Sequence, residues 1–394
     1  MLRVSNHALN STMLALKEFL PRESTTSRIV RLEGKNGMLL VEADRDHAVI
    51  AVSFPAEGEL DEAEVEFLEL AQLVRGTRKK PIELTNNNTE GQNWIYFSSG
   101  KVTGNLKSST GEVSSPKKPR SAFVEQVYEG KSLTEVLSFL YDAHATEDRH
   151  GIFGLLFVDD KLIMTDGSRA HIQSGFPPFP RHFLLPMYPA AALKTFTEQV
   201  PVTSVTIRHY ENMYIKERGS TAPHGVLVLV KGDNGETMKI TSPAPNAHEN
   251  IEAAMPMVTQ EAIGVVLSID EMLSVLQEVQ KRGIDDIRFR FGNGLSYGAE
   301  HEKDESNVIS GVLSAMRSLG VMEGERSYAP RYLMEAARGM RVVVGMDSNK
   351  NSVLGGQVQL ILLDPIPARE LKPLIVNGHV PDRFAVVMPK TEED

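Results

Sequence analysis

The apolar positions of this 394-residue chain follow two rhythms. In Asn10–Leu20 they recur at Met13, Leu14, Leu16, Phe19 and Leu20, the stripe of a helix that buries one face. The next segments, IVRLEG and MLLVEADRDHAVIAVSF, alternate apolar and polar as hairpin strands do. Between them stands Asn36-Gly37, a pair suited to a two-residue turn because both residues accept positive φ. A second helix is predicted at Phe67–Val74, then strands at PIELT and within WIYFSSGKVTGNL. The predicted unit is helix, strand pair, helix, strand pair.

That unit returns. Leu133–Tyr141 is helical, GIFGLLFVDDKLIMTDGSRAHIQSGF a strand pair, Tyr188–Phe196 a helix, and SVTIRHYENMYIKERG and HGVLVLVKGDNGETMKI further hairpins. Asp44 lies 122 positions before Asp166, and Phe67 the same distance before Pro189. A third round starts near Ser268, with helices at IDEMLSVLQEVQ and PRYLMEAARGM, a hairpin at IDDIRFRFGNGLSYGAE, and strands at RVVVGMD and RFAVVMP. It is looser, with extra residues at Ser310–Gly324 and Val358–His379. Three rounds predict an α+β protein of three similar domains, each with two helices packed on antiparallel sheets. The predicted domains are 1–115, 122–252 and 257–394, the third carrying the insertions and the C-terminal strand. They are separated by Ser108–Ala122 and Ser242–Pro256, segments rich in turn formers. Within the first connector, SSPKKPRS is basic and reads as a solvated link.

Composition narrows the function. Apolar residues at 41% and charged residues at 24% suit a soluble globular protein. The chain has no cysteine, which excludes disulfides and thiolate metal sites and makes a reducing cytoplasm the natural compartment. The N-terminal segment lacks an apolar core, since Lys17 and Glu18 interrupt it, so no signal peptide is expected. No apolar run reaches the roughly 18 residues of a membrane span, and no membrane association is expected. A net charge of −10 argues against a protein coated in nucleic acid. It leaves room for one basic surface on an otherwise acidic molecule, because exposed charges act over only about 8–10 Å.

The run KLIMTDGSRAHI (Lys161–Ile172) crowds together hydroxyl, carboxylate, guanidinium and imidazole groups. As an enzyme site it would use Asp166 and His171 as acid and base, but their spacing sets them on opposite sides of a continuous strand. No nucleophile elbow or metal-ligand set accompanies them, so no catalytic residue, metal or cofactor is predicted. A structural corner and a binding surface both remain open. HATEDRH (His144–His150) spaces His, Glu and His by three, yet reads as an exposed polar loop rather than a zinc site. GNGLSYG lies between two strands and reads as a hairpin turn, not a dinucleotide fingerprint. There is no GxxxxGK[ST] phosphate loop.

The threefold α+β pattern, the TDGxR element in its second copy, and a YLxxA helix followed by VVMP resemble the bacterial DNA sliding clamp, the beta subunit of the replicative polymerase III. LIMTDGSRAHI and FAVVMPK (Phe384–Lys390) carry the resemblance, which spans nearly the whole chain as an ordered pattern. It implies a non-enzymatic processivity factor: two chains joined head to tail, first domain to third, with twelve helices lining a hole that duplex DNA threads. Two helices per copy in three copies agree with that number. It also implies a separate clamp loader, and a groove for linear peptides of polymerases and other replication proteins. By motif the groove would use Thr165, Gly167, Ser168, Arg169 and Ala170, with Ile152 as an apolar wall and Val386, Val387, Met388 and Pro389 from the last strand. The family usually has His and Leu where this chain has Ser168 and Ala170. It ends Met-Arg-Leu where this chain reads Lys390-Thr391-Glu392-Glu393-Asp394. Both departures imply a wider or shallower slot and an altered choice of partner.

DNA-facing candidates are Lys17, Arg75, Lys194, Lys281, Arg282, Arg331 and Arg338 on helices. Arg22, Arg28, Arg78, Lys79 and Lys80 lie at their ends, and Arg149 and His150 in a loop. Each could equally belong to a solvated helix face. The alternatives are a divergent clamp encoded by a phage or plasmid, a clamp-like scaffold that binds proteins without encircling DNA, and an enzyme on a repeated α+β frame. The missing catalytic constellation argues against the last.

Overall fold

The computed structural model describes residues 1–21, 28–77, 80–89, 92–109, 123–146, 153–179, 182–211, 213–215, 220–222, 224–244, 263–291, 295–302, 304–318, 324–337, 342–347, 358–363 and 383–387. Six helices stand among them: α1 Asn6–Phe19, α2 Phe67–Gly76, α3 Gly130–Tyr141, α4 Met187–Gln199, α5 Ile269–Lys281 and α6 Pro330–Ala336. They fall two to a repeat, as the apolar stripes predict. α1 buries Leu9, Met13, Leu16 and Phe19 at helical spacing. α2 begins where the Glu66 carboxylate accepts the Leu68 and Glu69 N–H groups, and α6 opens on Pro330, whose missing N–H costs nothing there.

The chain divides into two compact units, residues 1–138 with 183–246 and residues 139–182 with 247–394. The second repeat is therefore shared between them. In the first unit one twelve-stranded sheet runs Val102–Lys107, Gln92–Ser99, Ile82–Thr89, Leu2–Val4, Ala48–Gly58, Thr237–Pro243, Gly225–Gly232, Val202–Tyr210, Phe123–Glu129. The strands Ile29–Lys35, Met38–Arg45 and Leu60–Glu66 branch from it. Its centre is a seam between repeats, where Ala48–Gly58 pairs antiparallel with Thr237–Pro243 in the register Ile50↔Ile240. Both isoleucines are fully buried, and burial of such a side chain contributes about 1.5–3 kcal/mol.

Turn chemistry sets the local hairpins. Asn36 and Gly37 have φ of 55° and 74°, the left-handed pair that a two-residue hairpin needs. Asp46 and His47, at 50° and 68°, make the next turn in the same way. Just before it, Arg45 donates to the Phe19 carbonyl at 2.9 Å and lies 3.2 Å from the Tyr188 ring centre. One arginine thus caps the end of α1 and covers the first turn of α4.

In the second unit a sheet runs Gly154–Val158, Lys161–Thr165, Arg169–Gln173, Arg383–Val387, Val358–Leu363, Val342–Asp347, Ile263–Ser268, Ala315–Ser318. A separate four-stranded sheet orders Asp304–Leu313, Leu295–His301, Ile287–Phe291 and Gly324–Tyr328. The supposed insertions supply strands. Val358–Leu363 sits between Val342–Asp347 and Arg383–Val387, paired on both sides. Its sequence, VQLILL, is the nearly continuous apolar run of such a strand. Ser310 lies within Asp304–Leu313, and Ala315–Ser318 is a further short strand. Residues 319–323 and 364–379 lie outside the described set. Ile287–Phe291 and Leu295–His301 pair as the predicted hairpin around GNG.

Candidate functional site

The TDGSR corner is built by its own side chains. Lys161–Thr165 and Arg169–Gln173 pair with Met164 opposite His171 and Thr165 opposite Ala170. The Thr165 hydroxyl donates to the Arg169 carbonyl at 2.6 Å and accepts the Gly167 N–H at 3.1 Å. Asp166 Oδ1 accepts the N–H groups of Ser168 and Arg169 at 2.9 and 3.0 Å, the turn that a short carboxylate favours. Gly167 has φ +91°, while a Cβ there would meet nothing within 4 Å. Backbone conformation, not crowding, requires the glycine.

Arg169 ties this corner to α6. Its side chain is 5% exposed; Nε donates to Asp166 Oδ2 at 3.0 Å and Nη1 to the Glu335 carboxylate. The guanidinium carbon lies 4.4 Å from the Tyr332 ring centre. Arg331 Nε donates to Glu335 Oε1 at 2.9 Å from the exposed side of the helix. Burial pushes Glu335 up, but the hydrogen bonds from Arg169 and Arg331 outweigh it and hold the carboxyl below its ordinary range. The side-chain polar atoms of Asp166 are occupied by the turn and by Arg169. His171 is fully buried, stacked on Phe139 with Nδ1 2.7 Å from that residue's carbonyl oxygen. The pair has no geometry for acid–base work.

The same strand joins the C-terminal one. Arg169–Gln173 pairs with Arg383–Val387 in the register Arg169↔Val387, Ala170↔Val386 and His171↔Ala385. Thr165, Gly167, Ser168, Arg169, Ala170, Val386 and Val387 therefore gather at one end of neighbouring strands in one sheet. Gly167 and Ser168 are exposed, Ala170 is half-buried, and Val387 is buried. Ile152, Met388, Pro389 and Lys390 lie outside the described residues. Tyr332 is the tyrosine of the YLxxA helix, and Glu335 is an addition that local sequence patterns do not single out. The one available signal is the four-residue spacing of Arg331 and Glu335.

Three solved structures put this geometry in context. The beta subunit of DNA polymerase III from Thermotoga maritima has a TM-score of 0.73 and 13% identity, over 99% of this chain and 100% of that one. The sliding clamp of Bartonella birtlesii bound to griselimycin scores 0.71 at 14% identity, over 99% of each chain. The beta sliding clamp of Caulobacter crescentus, with polyethylene glycol at a putative beta-motif tethering region, scores 0.71 at 13% identity, over 99% and 98%. The chain has the sliding-clamp fold. No family model and no curated protein sequence matches it.

On this clamp fold the basic candidates differ in setting. Lys17, Arg75 and Lys281 stand exposed in the last turns of α1, α2 and α5, where a cation also complements the helix dipole. Lys80 is exposed, and Arg28 is half-buried. Lys194 and Arg282 pair with Glu198 and Glu278, one turn away in each case, at 3.0 and 2.9 Å. Those pairs reduce the field each cation offers to a phosphate. Arg22, Arg78, Lys79, Arg149, His150 and Arg338 lie outside the described residues. Among the described residues no three His, Asp or Glu side chains gather as a metal site, and no helix is long and apolar enough to cross a membrane.

Proposed function

We propose that this protein is a DNA sliding clamp: a cytoplasmic, non-enzymatic processivity factor whose homodimeric ring encircles duplex DNA and tethers a polymerase. The observation that carries the reading is the full-length likeness to clamp structures together with the way one repeat joins the next. Repeat one meets repeat two through Ala48–Gly58 against Thr237–Pro243, and repeat two meets repeat three through Arg169–Gln173 against Arg383–Val387. Among the described strands, two that this scheme leaves at a sheet edge are Val102–Lys107 in repeat one and Asp304–Leu313 in repeat three. The second of these exposes Val308 (47%) and Val312 (71%), and the first is flanked by Lys101 and ends in Lys107. A second copy, joined head to tail, would cover both edges and close three clamp domains per chain (1–115, 122–252 and 257–394) into a ring.

Such a ring needs only weak, sequence-independent phosphate contacts, because topology prevents escape. The basic residues at the helix ends would supply them. The TDGSR corner and the C-terminal strand would form the groove that receives a linear peptide of the polymerase, raising its effective concentration at the primer end. Ser168 and Ala170 would leave that slot roomier than a His and Leu pair. Opening the ring would fall to a separate loader, since the sequence has no phosphate loop. The test is native mass and topological retention. The expected species has twice the 43.5 kDa of the chain, stays on nicked circular DNA after loading, and is lost once the circle is cut. A monomer that treats circular and linear DNA alike would overturn the reading.

A further inference from the structure

We infer that Glu335 is a positioning residue of the docking corner, acting through Arg169, and that Arg169 props the wall from inside instead of touching the ligand. The inference rests on the groove reading above and concerns what gives the groove its shape.

Arg169 faces inward. Only 5% of its side chain is exposed, and its directed contacts are Asp166 Oδ2, the Glu335 carboxylate and the Tyr332 ring. Asp166 alone cannot fix it. Its Oδ1 already accepts two turn N–H groups, leaving Oδ2 to take a single nitrogen of a guanidinium with five N–H donors. Glu335 accepts from a second nitrogen and comes from α6, 166 residues later in the chain. The backbone of Arg169 meanwhile pairs with Val387 of the last strand. One ion pair therefore locks three elements that flank the corner: the turn 166–168, the strand Arg383–Val387 and α6. Arg331, whose side chain is 72% exposed, also pairs with Glu335 but sits outside this chain of contacts.

A groove holds a peptide tightly only when its walls keep their geometry before the peptide arrives. Replacing Glu335 by glutamine keeps the size but leaves Arg169 with one carboxylate for a buried cation. The guanidinium then gains by turning outward, into the slot it had supported. Removing Arg331 leaves the Arg169–Glu335 pair whole.

The probe is griselimycin, the ligand held by the Bartonella birtlesii clamp, titrated calorimetrically into the full chain alongside a melting curve for each variant. E335Q is expected to weaken binding by about tenfold or more, R331A by no more than about twofold, and E335D to fall between wild type and E335Q. The losses should persist at a temperature where every variant is fully folded, which a merely stabilising role would not produce. E335Q binding within about twofold of wild type would overturn the inference while leaving the groove standing. If E335Q does not fold, E335D decides: intermediate affinity supports the inference and unchanged affinity overturns it. Wild-type protein that fails to bind griselimycin would instead sink the groove reading, and the inference with it.

Discussion

Gly167 and Gly298 offer a clean separation of backbone strain from crowding. A Cβ at either position would meet nothing within 4 Å, but only Gly167 holds a positive φ, +91°. Substituting alanine at Gly167 forces an L-residue into left-handed backbone, at about 1–2 kcal/mol. Alanine at Gly298, inside the strand Leu295–His301, should be neutral or stabilise by about 0.4–1 kcal/mol through the unfolded chain. The cost at Gly167 falls on a turn closed by three local hydrogen bonds to Thr165 and Asp166 side chains. It should therefore appear as local opening. Native-state hydrogen exchange of the 167–169 amides is expected to quicken by about 5–30-fold in G167A, the ratio equivalent to that strain. G298A should leave those amides unchanged. Equal protection in G167A and wild type would refute the strain argument, because no steric contact is available to mask it.

Two further outcomes follow from the same corner and from the sheet edge. Glu335 titrates below its ordinary value of 4.5 in the folded protein, so its brace is fully present above that pH and is lost as pH falls through the lower folded value. R331A removes one of the two bonds that hold it down. It should shift the NMR titration of Glu335 upward, and an unshifted midpoint would contradict the assigned cause. At the edge strand, V308D and V312D together should leave the fold intact by circular dichroism while shifting the sedimentation of the proposed dimer toward the monomer. A dimer of unchanged strength would place the contact elsewhere.

Legibility tracked sequence separation. Stripes such as Leu9, Met13, Leu16 and Phe19 and turn pairs such as Asn36-Gly37 state their conformation within a few residues, so helices and hairpins could be read directly. The 122-residue offset was close to the structural equivalence at the helices, α2 starting at Phe67 and α4 at Met187. It drifted at the hairpins, where Asp44 pairs within the strand Met38–Arg45 and Asp166 makes a turn. Phe123–Glu129 went unread because an edge strand need not alternate inward: Phe123, Val124 and Val127 are exposed and Tyr128 is its buried residue. Val358–Leu363 reads as an insertion in the repeat because its strand partners, Val342–Asp347 and Arg383–Val387, lie in other segments. Glu335 was invisible for the same reason, since nothing near position 335 refers to Arg169.

The two hairpin corners share one device and differ in the feature that the proposed groove would use. Each carries an arginine laid over a tyrosine near the start of the following repeat's second helix: Arg45 on Tyr188, and Arg169 on Tyr332. The device is shared, so the arginine alone does not make a site. What differs is the turn. Asp46-His47 is a two-residue turn whose following residues, Ala48 and Val49, are buried at 3% and 6% exposure, and the corner is sealed. In the second hairpin four residues, Asp166 to Arg169, separate the paired Thr165 and Ala170, two more than separate Arg45 and Ala48; Asp166 accepts two N–H groups there, and Gly167 and Ser168 are exposed with Ala170 half-buried beside them. The two extra residues leave an exposed ledge next to the strand Arg383–Val387. Removing two residues from the second turn to match the first should therefore abolish the proposed peptide docking while keeping the sheet. A shortened hairpin with peptide binding equal to that of the wild type would locate the proposed groove away from this turn.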